Sequence, residues 1–173
     1  MKTILEYLSP YAFYHQHRKN IVTHFIGSPM ILVAITVLLS HPKFSVFGIE
    51  LTPVLITAMI SEMFYLFLDE VVGLLMVFLI GLSLYLSSYI TSQEIVVWLS
   101  IGIGLFVTGW IIQLIVHYLE GKKPAFIDGI IGLVIGSLFV VVEVLFLLGV
   151  KRYWKQEIHA FCKQKNKYEG LEK

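Results

Sequence analysis

Charge is scarce in this 173-residue chain, at 14% of residues against 57% hydrophobic. A soluble domain averages about 25% charged and about 45–50% apolar residues, so the scarcity excludes an ordinary water-exposed globule. What charge there is nearly cancels, to a formal +1. No basic stripe is present to neutralise phosphates, which excludes nucleic acid as a partner. Cysteine is almost missing: Cys162 is the only one, so neither an intramolecular disulfide nor a Cys-rich metal site can form, and it reads as an ordinary residue of the C-terminal tail. Internal repeats and low-complexity stretches are absent. The first 19 residues lack a continuous apolar core, so no cleavable signal is visible and insertion is expected to use later segments as uncleaved anchors.

What is present is long uncharged sequence. Residues 20–42, 71–90 (VVGLLMVFLIGLSLYLSSYI) and 95–116 (IVVWLSIGIGLFVTGWIIQLIV) contain no Asp, Glu, Lys or Arg. An apolar stretch of about 18 or more residues is a transmembrane-helix candidate. Residues 51–68, with Pro53 and Glu62, and 125–149, with Asp128 and Glu143, join them as weaker segments. The expectation is an all-α, polytopic integral membrane helix bundle of about five transmembrane segments, with four as the alternative. Residues 1–150 form a single multipass membrane catalytic domain in this reading. Residues 151–173, with seven cations and three acids, form a basic C-terminal tail, helical or loose. HPKFSVFGIE (41–50) is a plain connection.

The charges conflict with five full crossings. Cytoplasmic loops are rich in Lys and Arg. Lys2, Arg18 and Lys19 place the N-terminus inside, and Lys122 and Lys123 return to that side after four crossings. A fifth crossing would put the basic tail outside. The opening histidines and His117 share a membrane face only if an even number of crossings separates them.

Ionisable groups at membrane depth are costly, which makes each a functional candidate. The first cluster lies in FYHQHRKNIVTHFIGSP (13–29): Tyr14, His15, His17, Asn20 and His24. At about 100° per residue, His17, Asn20 and His24 fall on one helical stripe. His15 and His24 would face opposite ways on one straight helix. They can serve one ion only if the chain bends between them, or if His15 sits on a separate segment. The second cluster is WIIQLIVHYLEGKKP (110–124), where Gln113, His117 and Glu120 share a stripe before Gly121 and Pro124, residues suited to a helix end. Neutral imidazole is the commonest metal ligand and brings no charge into an apolar setting; it suits Zn, Cu, Fe and Ni. Any one of these histidines alone is more simply an interfacial residue wetted by headgroups. Together, beside Asn20, Gln113 and Glu120, they read as a metal site. His41 and His159 read as surface residues, Asp69 as a cap of the next helix, and Glu143 as a hydrogen-bonded residue facing the bundle interior. Six histidines without an HxxxH or HxxHH box are too few for the di-iron centres of membrane desaturases, so a mononuclear site is the most this chain supports.

Two stretches carry a resemblance. YHQHRKNIVTHFIGSPMIL, through Tyr14, His15, Asn20, His24 and Pro29, resembles the opening signature of the Mpo1-like family. WIIQLIVHYLEGKKPAFID, through Gln113, His117, Glu120, Lys122, Lys123, Pro124 and Ala125, resembles its second signature, and EVLFLLGVKRY its ending. The likeness runs in the family's order from about residue 6 to about residue 155. It implies a multipass membrane enzyme: an Fe(II)-dependent dioxygenase that uses O₂ to shorten 2-hydroxy long-chain fatty acids by one carbon, in alpha-oxidation. It implies His15, His24 and His117 as catalytic iron ligands, with His17, where some members carry Asn, as a candidate fourth ligand or supporting donor. Asn20, Gln113 and Glu120 would then orient the imidazoles, and Arg18, Lys19, Lys122 or Lys123 would pair with the substrate carboxylate. Membrane lipid surrounds such a protein, and the bacterial cast of the opening motif favours an inner membrane over the endoplasmic reticulum. Two rival readings remain open: a non-enzymatic small multipass protein, serving as transporter subunit or scaffold, and a zinc-dependent membrane hydrolase, which would not need O₂.

Overall fold

The computed structural model describes residues 3–120 and 130–171, with side chains except at 49, 116–120, 130 and 169–171. The described residues form helices α1 (Ile4–Tyr14), α2 (Arg18–Leu38), α3 (Pro53–Leu68), α4 (Glu70–Thr91), α5 (Ile95–Glu120), α6 (Ile130–Leu147) and α7 (Arg152–Leu171). A β-hairpin, β1 (Phe44–Val46) and β2 (Ile49–Leu51), joins α2 to α3.

The chain enters through a capping box. The Thr3 hydroxyl accepts the Glu6 N–H, and the Glu6 carboxylate accepts the Thr3 N–H at 2.5 Å. α1 stops at Tyr14 because His15 leaves helical geometry, and His17 opens α2 by accepting the Lys19 N–H on Nδ1 at 3.3 Å. This break between residues 15 and 17 is the bend that the histidine spacing demanded.

α2 and α5 run antiparallel with their backbones almost touching. A Cβ on Gly27 would come within 2.9 Å of the Gly109 carbonyl oxygen and 2.8 Å of Gln113 Cγ. Further along, Gly102 of α5 packs against Val37 and Leu38 of α2. Small residues allow such close approach where lipid leaves no hydrophobic drive between helices. The start of α2 therefore lies beside the end of α5. α4 runs parallel to α2, with Thr36 Oγ1 3.4 Å from the Ser83 carbonyl oxygen, and α3 doubles back against it. Asp69 caps α4 as expected: Oδ1 accepts the Val71 and Val72 N–H groups, both at 3.1 Å, while Oδ2 pairs with Lys151 Nζ at 2.7 Å.

α6 ends in a Schellman turn. Val150 N–H donates to the Leu145 carbonyl at 2.8 Å, Gly149 N–H to that of Phe146 at 3.2 Å, and Gly149 takes φ +77°. The chain then bends by 118° into α7. α7 lies back on α1 through Trp154, Ile158 and Cys162, one helical turn apart and all buried. Asn166 Nδ2 donates to Gln16 Oε1 at 3.3 Å, and Lys165 Nζ sits 4.4 Å from the Phe13 ring centroid. The basic tail is thus a docked amphipathic helix, and Cys162 belongs to the core.

Among the described residues five crossings are not present: three helices are long and apolar enough to cross a membrane, Arg18–Leu38, Glu70–Thr91 and Ile95–Ile115, or four if α6 and α7 form one broken span. α3 has 16 residues, reaching about 24 Å at about 1.5 Å each, short of a hydrocarbon core of about 30 Å. α6 begins against Ser28, Trp110 and Gln113 inside the bundle rather than at the far end. Two smaller expectations also change. The 41–50 connection contains a hairpin pairing Phe44 with Leu51 and Val46 with Ile49, because Phe47 and Gly48 take φ of 53° and 80°, as a tight two-residue turn requires. His41 is half-buried and stacks on Trp98, with ring centroids 4.8 Å apart.

These corrections remove the charge conflict. The α1–α2, α3–α4 and α6–α7 junctions gather at one end of the bundle with the end of α5. Arg18, Lys19, Lys151, Arg152, Lys155, Lys163, Lys165 and Lys167 lie at this end, and among the described residues only Lys43 lies at the other. By the positive-inside rule the histidine end is expected on the cytoplasmic side. Reporters fused before α1 and after α7 are expected to signal from the same, cytoplasmic side, and one inserted at Phe47 from the opposite side. Signals from opposite sides for the two ends would overturn this topology.

Candidate active site

His15, at the end of α1, and His24, in α2, are both 1% exposed. Their ring centroids are 4.4 Å apart with planes at 84°. His15 Nδ1 is 2.6 Å from the Tyr11 carbonyl oxygen, one turn back. A carbonyl only accepts, so Nδ1 carries the proton, and Nε2 bears the lone pair when the ring is neutral. Tyr11 stacks flat on His15 at 4.1 Å and 10°, and meets His24 edge-on at 5.9 Å. Phe139 of α6 closes the pair, 5.7 Å from His15 and 6.2 Å from His24. Burial pushes the Tyr11 phenol well above its ordinary pKa, so it stays a neutral hydroxyl.

A second line of contacts reaches His24 from α5. Gln113 Nε2 donates to Ser28 Oγ at 3.0 Å, and Ser28 Oγ lies 3.4 Å from His24 Nδ1. Asn20 is fully buried one turn before His24. Four other sequence candidates have described side chains that point to the surface or to α7. His17, Arg18 and Lys19 are exposed at the head of α2, where His17 caps the helix. Tyr14 turns toward α7, with Lys165 Nζ 5.3 Å from its ring centroid. His117 and Glu120 belong to the last turns of α5, with His117 one turn beyond Gln113 toward the histidine end; their side chains, and Lys122 and Lys123 altogether, lie outside the described residues. Among the described residues no group of three His, Cys, Asp or Glu side chains could hold a metal ion; the described part of the site is the pair.

Tyr11, Ser28 and Phe139 escaped the sequence reading. Tyr11 and Ser28 each stand four residues from a histidine, the spacing that puts two side chains on one helical face, and that signal could have found them. Phe139 comes from a distant segment and has no local signature.

The described pair offers two nitrogen donors of the kind that divalent transition metals take. Metal-bound histidines commonly donate their second ring N–H to a carbonyl or carboxylate, which fixes tautomer and orientation; His15 does so to Tyr11. Beside the pair, an apolar cleft of ≈ 130 Å³ runs between α2, α4 and α6, lined by Leu32, Val33, Met76, Leu79 and Leu86, with Ser28 also on its wall. A smaller void of ≈ 20 Å³ between Ser28, Gln113 and Trp110 is about the size that one water occupies.

The family described as "2-hydroxy-palmitic acid dioxygenase Mpo1-like" matches residues 1–148. The 2-hydroxy-palmitic acid dioxygenase MPO1 of Saccharomyces cerevisiae is 34% identical over 141 residues, which are 80% of this chain and 78% of the yeast protein. No solved structure matches the chain. With the family match covering residues 1–148, which include the buried histidine pair, and the yeast alignment spanning most of the chain, this chain belongs to the Mpo1-like family.

Proposed function

We propose that the chain is an Fe(II)-dependent dioxygenase that cleaves long-chain 2-hydroxy fatty acids to the fatty acid one carbon shorter, in a bacterial inner membrane. The observation that carries this reading is the buried, touching pair His15 and His24, placed beside an apolar cleft in a chain of this family. His15, through Nε2, with His24 and His117, would hold the iron. Ferrous iron with open positions supplies the means to bring O₂ and the hydroxy acid together and pass electrons between them.

The protein's own side chains do the rest. The Tyr11 carbonyl keeps the His15 proton on Nδ1, and the Tyr11 ring holds the imidazole plane. Gln113, through Ser28, holds His24, and Asn20 fills the turn below it. Such supporting contacts typically change metal affinity or activity about 10–100-fold. The cleft takes the acyl tail, worth about 0.8 kcal/mol for each buried CH₂. Burial of Tyr11, Phe139 and both imidazoles excludes bulk water from the reacting carbon. Arg18, Lys19, Lys122 and Lys123 are the cations that the sequence offers for the substrate carboxylate.

The overall reaction balances as R–CHOH–COOH + O₂ → R–COOH + CO₂ + H₂O. The C1–C2 bond breaks, the substrate gives up four electrons and O₂ accepts four, so no stoichiometric reductant is needed. The test is to give purified protein 2-hydroxypalmitic acid, Fe(II) and O₂. Pentadecanoic acid is the expected product, with one O₂ consumed per turnover and activity lost under nitrogen or with an iron chelator. Absence of the odd-chain acid, or turnover that persists without O₂, would overturn the proposal.

A further inference from the structure

A cavity of ≈ 170 Å³ lies on the other side of His15, enclosed by α1, α6 and α7; Ala12, His15, Phe139, Glu143, Lys155 and His159 are among its walls. Its residues run from apolar to charged along α6: Phe139 lies against the histidine rings, Glu143 comes one turn later, and Phe146 one turn after that, with Lys155 Nζ 5.9 Å from its ring. Lys155 and His159 are exposed at the mouth. Outside it, Arg152, Lys155 and His159 line an open groove of ≈ 560 Å³, so positive charge leads from the surface to the mouth. None of these α7 residues falls within the residues 1–148 that match the family.

We infer that this cavity receives the polar head of an acidic amphiphile, with Lys155 pairing to its carboxylate. The inference rests on the proposed reaction for the identity of the amphiphile, a 2-hydroxy fatty acid, but not for the presence of the site. A carboxylate at the mouth is neutralised by Lys155. The head group's hydroxyl carbon is then directed toward His15, which lines the cavity. α7 accordingly sets the preference for a free acid over an ester or alcohol. It does so with a cation that stands far from Arg18, Lys19, Lys122 and Lys123 in the chain.

The test compares full-length protein in detergent with the variants Lys155→Met and Lys155→Arg. The affinities of 2-hydroxypalmitic acid and its methyl ester are measured by titration, alongside KM and kcat for the acid. Wild type is expected to bind the acid about tenfold more tightly than the ester, a difference of about 1.4 kcal/mol. Lys155→Met should lose that preference and raise KM by a similar factor with little change in kcat, and Lys155→Arg should restore both. If Lys155→Met binds and turns over the acid like wild type, the site is refuted while the dioxygenase reading stands. If acid binding depends on Lys155 but no O₂-dependent cleavage occurs, the site is supported and the dioxygenase reading fails.

Discussion

Replacing His24 with alanine is expected to strip iron from the purified protein and to lower turnover of 2-hydroxypalmitic acid by on the order of 10³-fold or more, about 4 kcal/mol of barrier. His15→Ala should do the same, because neither ring has a described substitute: no third His, Cys, Asp or Glu stands close enough among the described residues. Metal content by elemental analysis and product by mass spectrometry are the two readouts. Folding is the control, since His24 is 1% exposed and its removal leaves a cavity. The supporting residue gives a graded comparison. Ser28→Ala keeps both imidazoles but cuts the link from Gln113 to His24, and its loss should be about 10–100-fold. A His24→Ala protein that folds, lacks iron and still turns over at the wild-type rate would end the iron mechanism.

Filling the apolar cleft should produce the second large effect, and one that depends on substrate length. Leu32→Trp places an indole between α2 and α4, where Leu32, Met76 and Leu79 now leave space. If the bulk displaces about four methylenes of the acyl tail, the lost burial is about 3 kcal/mol, or on the order of 100-fold in kcat/KM for a long-chain acid. A short 2-hydroxy acid that never reached the cleft should be processed as before, since Leu32 lies about two helical turns from His24 along α2. The check is kcat/KM across a series of chain lengths. Equal losses for short and long acids would show that the variant damages the pair, and no loss for either would place the tail elsewhere.

These two variants differ in how far the sequence alone could have led to them. His24 could be chosen from the chain, because an imidazole near the head of an uncharged run is conspicuous wherever charge is scarce. Leu32 could not. It is one apolar residue among many in the uncharged run 20–42, and only the neighbours contributed by α4 and α6 show that it borders empty space. Lys155 presents the same problem in a polar setting: it is one of seven cations in the tail, and only the docking of α7 on α1 brings it to a cavity that reaches His15.

The spacing of nine residues between His15 and His24 stated a condition, a bend, without saying whether it was met. The helix break at residues 15–17 meets it. The crossing count fared worse. Hydropathy marks a segment as compatible with lipid, but it does not report length against the bilayer or direction of travel. α3 is apolar and falls short, and α6 is apolar and turns through 118° into α7. Both failures come from the end of a helix, where a local turn decides what a whole segment does.

By itself, the sequence determined that this chain is a mainly helical protein suited to a membrane, that its candidate metal ligands are a few histidines near the ends of apolar runs, and that its family is the Mpo1-like one. These follow from composition, periodicity and motif, properties that each segment carries alone. The tertiary structure decided which residues meet. Gly27 and Gly109 let two backbones touch, which sets Gln113 on Ser28 and Ser28 beside His24. Asp69 and Lys151 help bring the basic helix back to the histidine end. Contacts between positions tens of residues apart depend on close packing and on paired charges, and no local pattern in the chain encodes them.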